Sequence, residues 1–145
     1  MNKSIRFAST QRGFTLIEIM VVVVIMGILA GLVGVAVFGN VDKTRVEAAK
    51  ADLRTISQAL DLFRLDNNRY PTTDQGLEAL VKQPDNVKTY PEEGYLQKKD
   101  VPLDPWDNPY NYMSNSSRSY ELYSFGADGV QGGEGYDADL FASEL

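Results

Sequence analysis

The sequence predicts an α+β fold: one long N-terminal helix whose second half packs on a small antiparallel sheet, followed by a C-terminal loop. Three observations predict it. Residues 14–38 (FTLIEIMVVVVIMGILAGLVGVAVF) are almost wholly apolar. From Val41 to Asn67 the chain stays free of helix breakers while apolar residues recur every three or four positions. From Arg69 to Leu145 it becomes rich in Tyr, Pro, Gly and Asp, as turns and short strands require.

The chain divides into a short basic segment (1–13, with Lys3, Arg6 and Arg12), the apolar half-helix (14–38) and a polar domain (39–145). The apolar run is about 25 residues, and at roughly 1.5 Å per residue it exceeds the roughly 30 Å of a bilayer core. It is too long for the hydrophobic part of a secretory signal, and no small-x-small cleavage site follows it. Lys3, Arg6 and Arg12 precede it, which predicts a single-pass protein with its N-terminus cytoplasmic and its C-terminal domain across the membrane. Gly27 and Gly31 form a G-x-x-x-G pair; it reads either as a close helix–helix approach or as ordinary tolerance of glycine in lipid.

Ala49, Leu53, Ile56, Leu60 and Phe63 share one helical face, with Lys50, Asp52, Arg54, Asp61 and Arg64 off it. One helix is therefore expected from about residue 14 to about 66. Asn67-Asn68 and Pro71 end it. Thr72 and Gln75 form a capping-box pattern that predicts a short helix over Asp74–Lys82. Tyr110–Met113 and Tyr120–Ser124 flank Ser114-Asn115-Ser116-Ser117 and predict a hairpin on the long helix, with Tyr90, Tyr95 and Trp106 in the same core.

Composition excludes several chemistries. The 145 residues carry a net charge of −6 and no basic stripe, which argues against a nucleic-acid partner. Cysteine and histidine are absent, so there is no disulfide, thiol nucleophile, Cys/His zinc site or Ser–His–Asp triad. Any metal would be a hard cation held by oxygens.

Two features carry chemistry. Glu18 is an acid inside the apolar run, where insertion at mid-bilayer costs about 2.5–3.5 kcal/mol. Either it neutralises an amine created by cleavage after Gly13, or it sits near the headgroups and snorkels. The second feature is the glycine-rich loop Ala127–Asp139, with four carboxylates: Asp128, Glu134, Asp137 and Asp139. Either it is a solvated acidic turn, or its oxygens converge on Ca²⁺, which takes six to eight. It does not match the EF-hand pattern.

Gly13-Phe14-Thr15-Leu16-Ile17-Glu18, after a short basic leader and opening an apolar helix, resembles the processing site of type IV pilins and pseudopilins. The segment Leu65–Leu77, Asp104-Pro105-Trp106 with Pro109-Tyr110, and Tyr123–Gly129 resemble the major pseudopilin of type II secretion systems, over nearly the whole chain. The resemblance implies a pilin-like fold and a structural subunit, not an enzyme. It implies a prepilin peptidase that cuts after Gly13 and methylates the amine of Phe14, and Glu18 guiding the docking of subunits. Its implied partners are further copies in a homopolymer, minor pseudopilins and an inner-membrane assembly platform, in a periplasmic filament that drives export of folded proteins. It implies calcium in the C-terminal loop, with side chains of Asp128 and Asp139, backbone carbonyls of Phe125 and Val130, and Asp137 as a further candidate. Val35 stands where many members have a kinking proline, and Phe141-Ala142-Ser143 where Gly-Asn-Trp is usual. The absence of a cysteine pair favours a pseudopilin over the alternative, a type IV pilin of a surface adhesion or motility fibre. A tethered hydrolase using Asp128 and Asp137 has no other support in the sequence.

Overall fold

The computed structural model describes residues 13–145, with residues 32–40 described by their backbone alone. Lys3, Arg6 and Arg12, and the side chain of Val35 at the expected kink, therefore lie outside the described residues. The chain forms two compact units, Met1–Gly39 and Asn40–Leu145. Helix α1 (Leu16–Asn67) contributes residues to both.

In the first unit the described part of the helix surface, residues 16–31, is largely apolar and uncovered. Leu16, Ile17, Val23, Val24, Met26 and Ile28 are all exposed. Gly27 and Gly31 meet open space, so neither is explained by packing within the chain.

In the second unit the predicted stripe is the core. Ala49, Leu53, Ile56, Leu60 and Phe63 are buried, joined by Ala59. Tyr70, Leu77, Leu80, Val87, Leu96, Tyr110 and Leu122 close over that face. Leu62 and Leu65, off the stripe, stay exposed. Just off the stripe, the helix also offers carboxylates to tyrosines of the covering layer. The Tyr110 hydroxyl donates to Asp52 (3.2 Å), Tyr70 to Asp61 (2.7 Å) and Tyr95 to Asp66 (2.9 Å). Apolar burial supplies most of the stabilisation, and these directional bonds fix where the layer sits along the helix. The helix ends where the Asn67 side-chain amide donates to the Phe63 carbonyl (3.0 Å) and Asn68 turns left-handed (φ 58°).

The capping box forms, but not the helix expected after it. Thr72 N–H donates to Gln75 Oε1 (2.9 Å) and Gln75 N–H to Thr72 Oγ1 (3.3 Å). Gly76 then adopts φ +57°, which an α-helix cannot continue through, so Asp74–Lys82 is replaced by a 3-10 turn at Leu77–Leu80.

The hairpin is present with longer strands and a tighter turn than the sequence suggests. Strands β1 (Asn111–Ser116) and β2 (Ser119–Ser124) pair antiparallel, with an irregularity between Ser114 and Ser116. A third strand, β3 (Leu140–Phe141), pairs antiparallel with Tyr123 and Ser124 of β2, giving the order β1-β2-β3. Tyr90 and Tyr95 pack against the core as expected. Trp106 is half-buried outside that cluster, and its indole N–H is buried without a partner.

Candidate functional site

The residues singled out in the sequence fall at two places, one in each unit. In the first, Gly13, Phe14 and Thr15 are non-helical and precede α1. Thr15 starts the helix: its carbonyl accepts from Glu18 N–H (3.1 Å) and Ile19 N–H (3.3 Å), and its hydroxyl oxygen also accepts from Glu18 N–H (3.3 Å). Thr15 is thus an N-cap that the sequence reading missed, although the T-x-x-E spacing signals it. Glu18 lies in the first turn, where the helix dipole favours an anion. Phe14 is 79 % exposed, and Gly13 has nothing packed around its α-carbon. Gly13, Phe14, Thr15 and Glu18 line an open hollow of about 430 Å³. The peptide bond after Gly13 is therefore held in an accessible, unstructured stub beside a carboxylate.

Among the described residues, no helix is long and apolar enough to cross a membrane. The side chains of the apolar run are described only to Gly31.

The second place is the C-terminal loop, Phe125–Asp139, which leaves β2 and returns as β3. It closes on itself through backbone contacts. Ala127 N–H donates to the Tyr136 carbonyl (3.1 Å) and Asp137 N–H to the Glu134 carbonyl (3.2 Å). Gly126 (φ +72°) lies so close to the returning strand that a Cβ would stand 2.7 Å from the Ala138 carbonyl oxygen. Gly133 is likewise pressed against the backbone of Asp137. These glycines are required by close approach, not merely tolerated.

Asp128 and Asp139 each accept a backbone N–H from the stretch 130–132 of this loop. Asp128 Oδ1 accepts from Val130 N–H (3.1 Å), and Asp139 Oδ2 from Gly132 N–H (3.0 Å). The other Asp139 oxygen, Oδ1, is buried with no hydrogen-bond donor. A buried carboxylate oxygen without a donor is unfavourable unless a cation or water meets it, so this atom fits a hard cation. Among the described residues, no group of three or more acidic side chains stands ready to hold a metal. A cation there would need backbone carbonyls to complete its shell, and Phe125 and Val130 lie on this loop.

Below the loop is a network that the sequence did not reveal. Asp104 is only 3 % exposed. Its carboxylate accepts from Trp106 N–H (3.0 Å), Asn108 N–H (2.8 Å) and the Ser124 hydroxyl (2.6 Å).

Comparison with known proteins gives the family of the chain. Residues 36–143 match the family described as type II secretion system (T2SS), protein G. Residues 8–34 match the prokaryotic N-terminal methylation motif. The chain is 52 % identical over 134 residues to the type II secretion system core protein G of Pseudomonas aeruginosa, covering 90 % of this chain and 93 % of that one. It is 48 % identical over 133 residues to the corresponding core protein G of Vibrio cholerae, covering 90 % of each. The crystal structure of the major pseudopilin from the type 2 secretion system of enterohaemorrhagic Escherichia coli aligns with a TM-score of 0.61 at 38 % identity, covering 74 % of this chain and 94 % of that one. The chain therefore belongs to the type II secretion system protein G family, the major pseudopilins.

Proposed function

We propose that this pseudopilin is stored as a single-pass inner-membrane subunit and polymerises through α1, as one continuous helix, into a periplasmic filament that drives export of folded proteins. The observation that carries this reading is the surplus of apolar surface on the first unit. Its helix exposes large side chains from Leu16 to Leu29 that the chain itself leaves uncovered. At about 25 cal/mol per Å², such a surface must be covered by lipid or by other copies. A prepilin peptidase would cut after Gly13 and methylate Phe14, and the exposed stub supports access to that bond. Glu18 would then face the new amine of an incoming copy, an opposite charge in a low-dielectric setting. Minor pseudopilins and the inner-membrane assembly platform are the further partners of this reading.

The C-terminal loop is read as a calcium site. Asp128 and Asp139 would hold the ion by their side chains, Phe125 and Val130 by their carbonyls, with Asp137 in reserve. Bound there, the ion would neutralise two carboxylates and pin the loop. The buried, donorless oxygen of Asp139 supports this.

The deciding experiment is intact mass spectrometry of the protein purified from its membrane. Loss of the first thirteen residues plus one methyl group is expected. Full-length mass, or cleavage elsewhere, refutes the processing scheme.

A further inference from the structure

The positions of Asp128 and Asp139 depend on where the backbone of the C-terminal loop runs, and that path is anchored from outside the loop. The anchor is a chain of contacts. Asp104 Oδ1 accepts the N–H groups of Trp106 and Asn108, which folds residues 104–109 into a closed turn, tied again by Asp104 N–H to the Asn108 carbonyl (2.8 Å). Asp104 Oδ2 remains for Ser124, whose hydroxyl donates to it at 2.6 Å. With its proton committed there, Ser124 Oγ accepts from Gly126 N–H (3.2 Å). Gly126 is the residue whose left-handed backbone lets the Ala138 carbonyl come close, and Asp139 follows Ala138. A second prop stands beside it: Gly129 (φ +68°) rests on the Asn108 side chain, which a Cβ would meet at 3.3 Å. Ser124 is fully buried and Asp104 nearly so, so water cannot replace these bonds cheaply.

We infer that Ser124, oriented by the buried Asp104, is the positioning residue of the C-terminal loop, setting Gly126 and hence the path of the returning backbone at Ala138 and Asp139. Neither Ser124 nor Asp104 need touch a cation. The inference rests on the calcium reading only in so far as the loop's purpose is to bind one; the positioning is a property of the chain alone.

The test uses the full chain in detergent, wild type against Ser124→Ala, with hydrogen exchange read on peptides covering 127–139 and 50–63. In EGTA, Ser124→Ala is expected to lose about ten-fold protection in the loop while the α1 peptide stays within about two-fold. Loop protection unchanged, or loop and helix falling together, overturns the positioning role. Asp104→Asn, which keeps the two N–H acceptors but turns an amide toward Ser124, is expected to give the same pattern and serves if Ser124→Ala folds poorly. Calorimetric titration with CaCl₂ separates the two readings. If the wild type binds, Ser124→Ala must bind about ten-fold more weakly, and equal affinity overturns the inference. If the wild type does not bind, the calcium reading fails and the exchange result alone decides the positioning.

Discussion

Phe63→Ala tests whether the domain is built on one face of α1. Phe63 is 0 % exposed, near the C-terminal end of the buried stripe. Its ring lies 5.3 Å from that of Tyr95, tilted by 60°, and Tyr95 in turn bonds Asp66 and stacks edge-on to Tyr90 at 5.2 Å. Truncation removes a buried aromatic and leaves a cavity between helix and covering layer, together costing about 3–5 kcal/mol. Loss of the ring pair accounts for about 0.5–1.5 kcal/mol of that. Leu62 and Leu65 are the controls, at 52 % and 75 % exposed on neighbouring positions of the same turns. Their truncation is expected to change stability by less than about 0.5 kcal/mol. Urea unfolding of the full chain in detergent, followed by Trp106 fluorescence, reads the second unit because Trp106 is the only tryptophan. With a urea slope of about 1–3 kcal/mol per M, Phe63→Ala should lower the midpoint by more than about 1 M while the controls barely move it. Equal effects at 62, 63 and 65 would falsify the one-faced core. Loss below about 1 kcal/mol at Phe63 would show instead that the covering layer contributes little.

The remaining predictions concern assembly, the loop and pH. Glu18→Ala is expected to be processed and inserted normally yet fail to form filaments; normal filament yield by electron microscopy refutes the docking role. Adding Ca²⁺ at about 100 times its dissociation constant should stabilise the wild type by about 2.7 kcal/mol, read as a rise in melting temperature over EGTA. Asp139→Asn and Asp128→Asn should abolish that rise, and a wild type whose melting ignores calcium refutes the site. Burial first, then the bond to Asp66, pushes the Tyr95 hydroxyl up to about 12, and burial does the same for Tyr112. A raised acid pKa means the folded state holds its proton longer. The stability these groups contribute is complete below the ordinary tyrosine value of 10.0 and is lost as pH rises toward about 12. The urea midpoint should therefore fall between those values, less steeply in Tyr95→Phe; a flat midpoint across that range contradicts the burial of these hydroxyls.

The fold was legible where its physics is periodic. Ala49, Leu53, Ile56, Leu60 and Phe63 are readable because a helix buries one face at a fixed spacing, and all of them are buried. The hairpin was legible from clustered aromatics, though not its turn, since the strands run on to Ser116 and from Ser119. Capping spacing alone misled at Asp74–Lys82: Thr72 and Gln75 close their box as expected, but Gly76 takes a left-handed conformation that no spacing rule foresees. β3 was missed because two residues carry no alternation to read. The loop site was legible only as composition. Its carboxylates and glycines are countable, whereas the bond from Ser124 to Asp104 joins residues twenty positions apart and leaves no pattern along the chain.

That difference bears on how the two units work. The second unit buries the apolar stripe of its helix under its own covering layer, and its tyrosine–carboxylate bonds and buried Asp104 hold one arrangement. The first unit keeps its apolar face uncovered. On the proposed reading that face moves from lipid to a bundle of identical helices. Lipid tails and leucine-like side chains are about equally apolar, so the move changes little hydrophobic energy. What favours the polymer must then be local: the close approach allowed by Gly27 and Gly31, and a charge at Glu18 that lipid leaves unpaired and a neighbouring amine would satisfy. A weak apolar preference with one strong polar contact gives an assembly whose register is fixed while its subunits remain extractable. Glu18 is in the first turn of α1, capped by Thr15, and on the proposed reading only processing after Gly13 would give an incoming copy a free amine to meet it. Cleavage would thus act as the switch that makes the helix competent to polymerise.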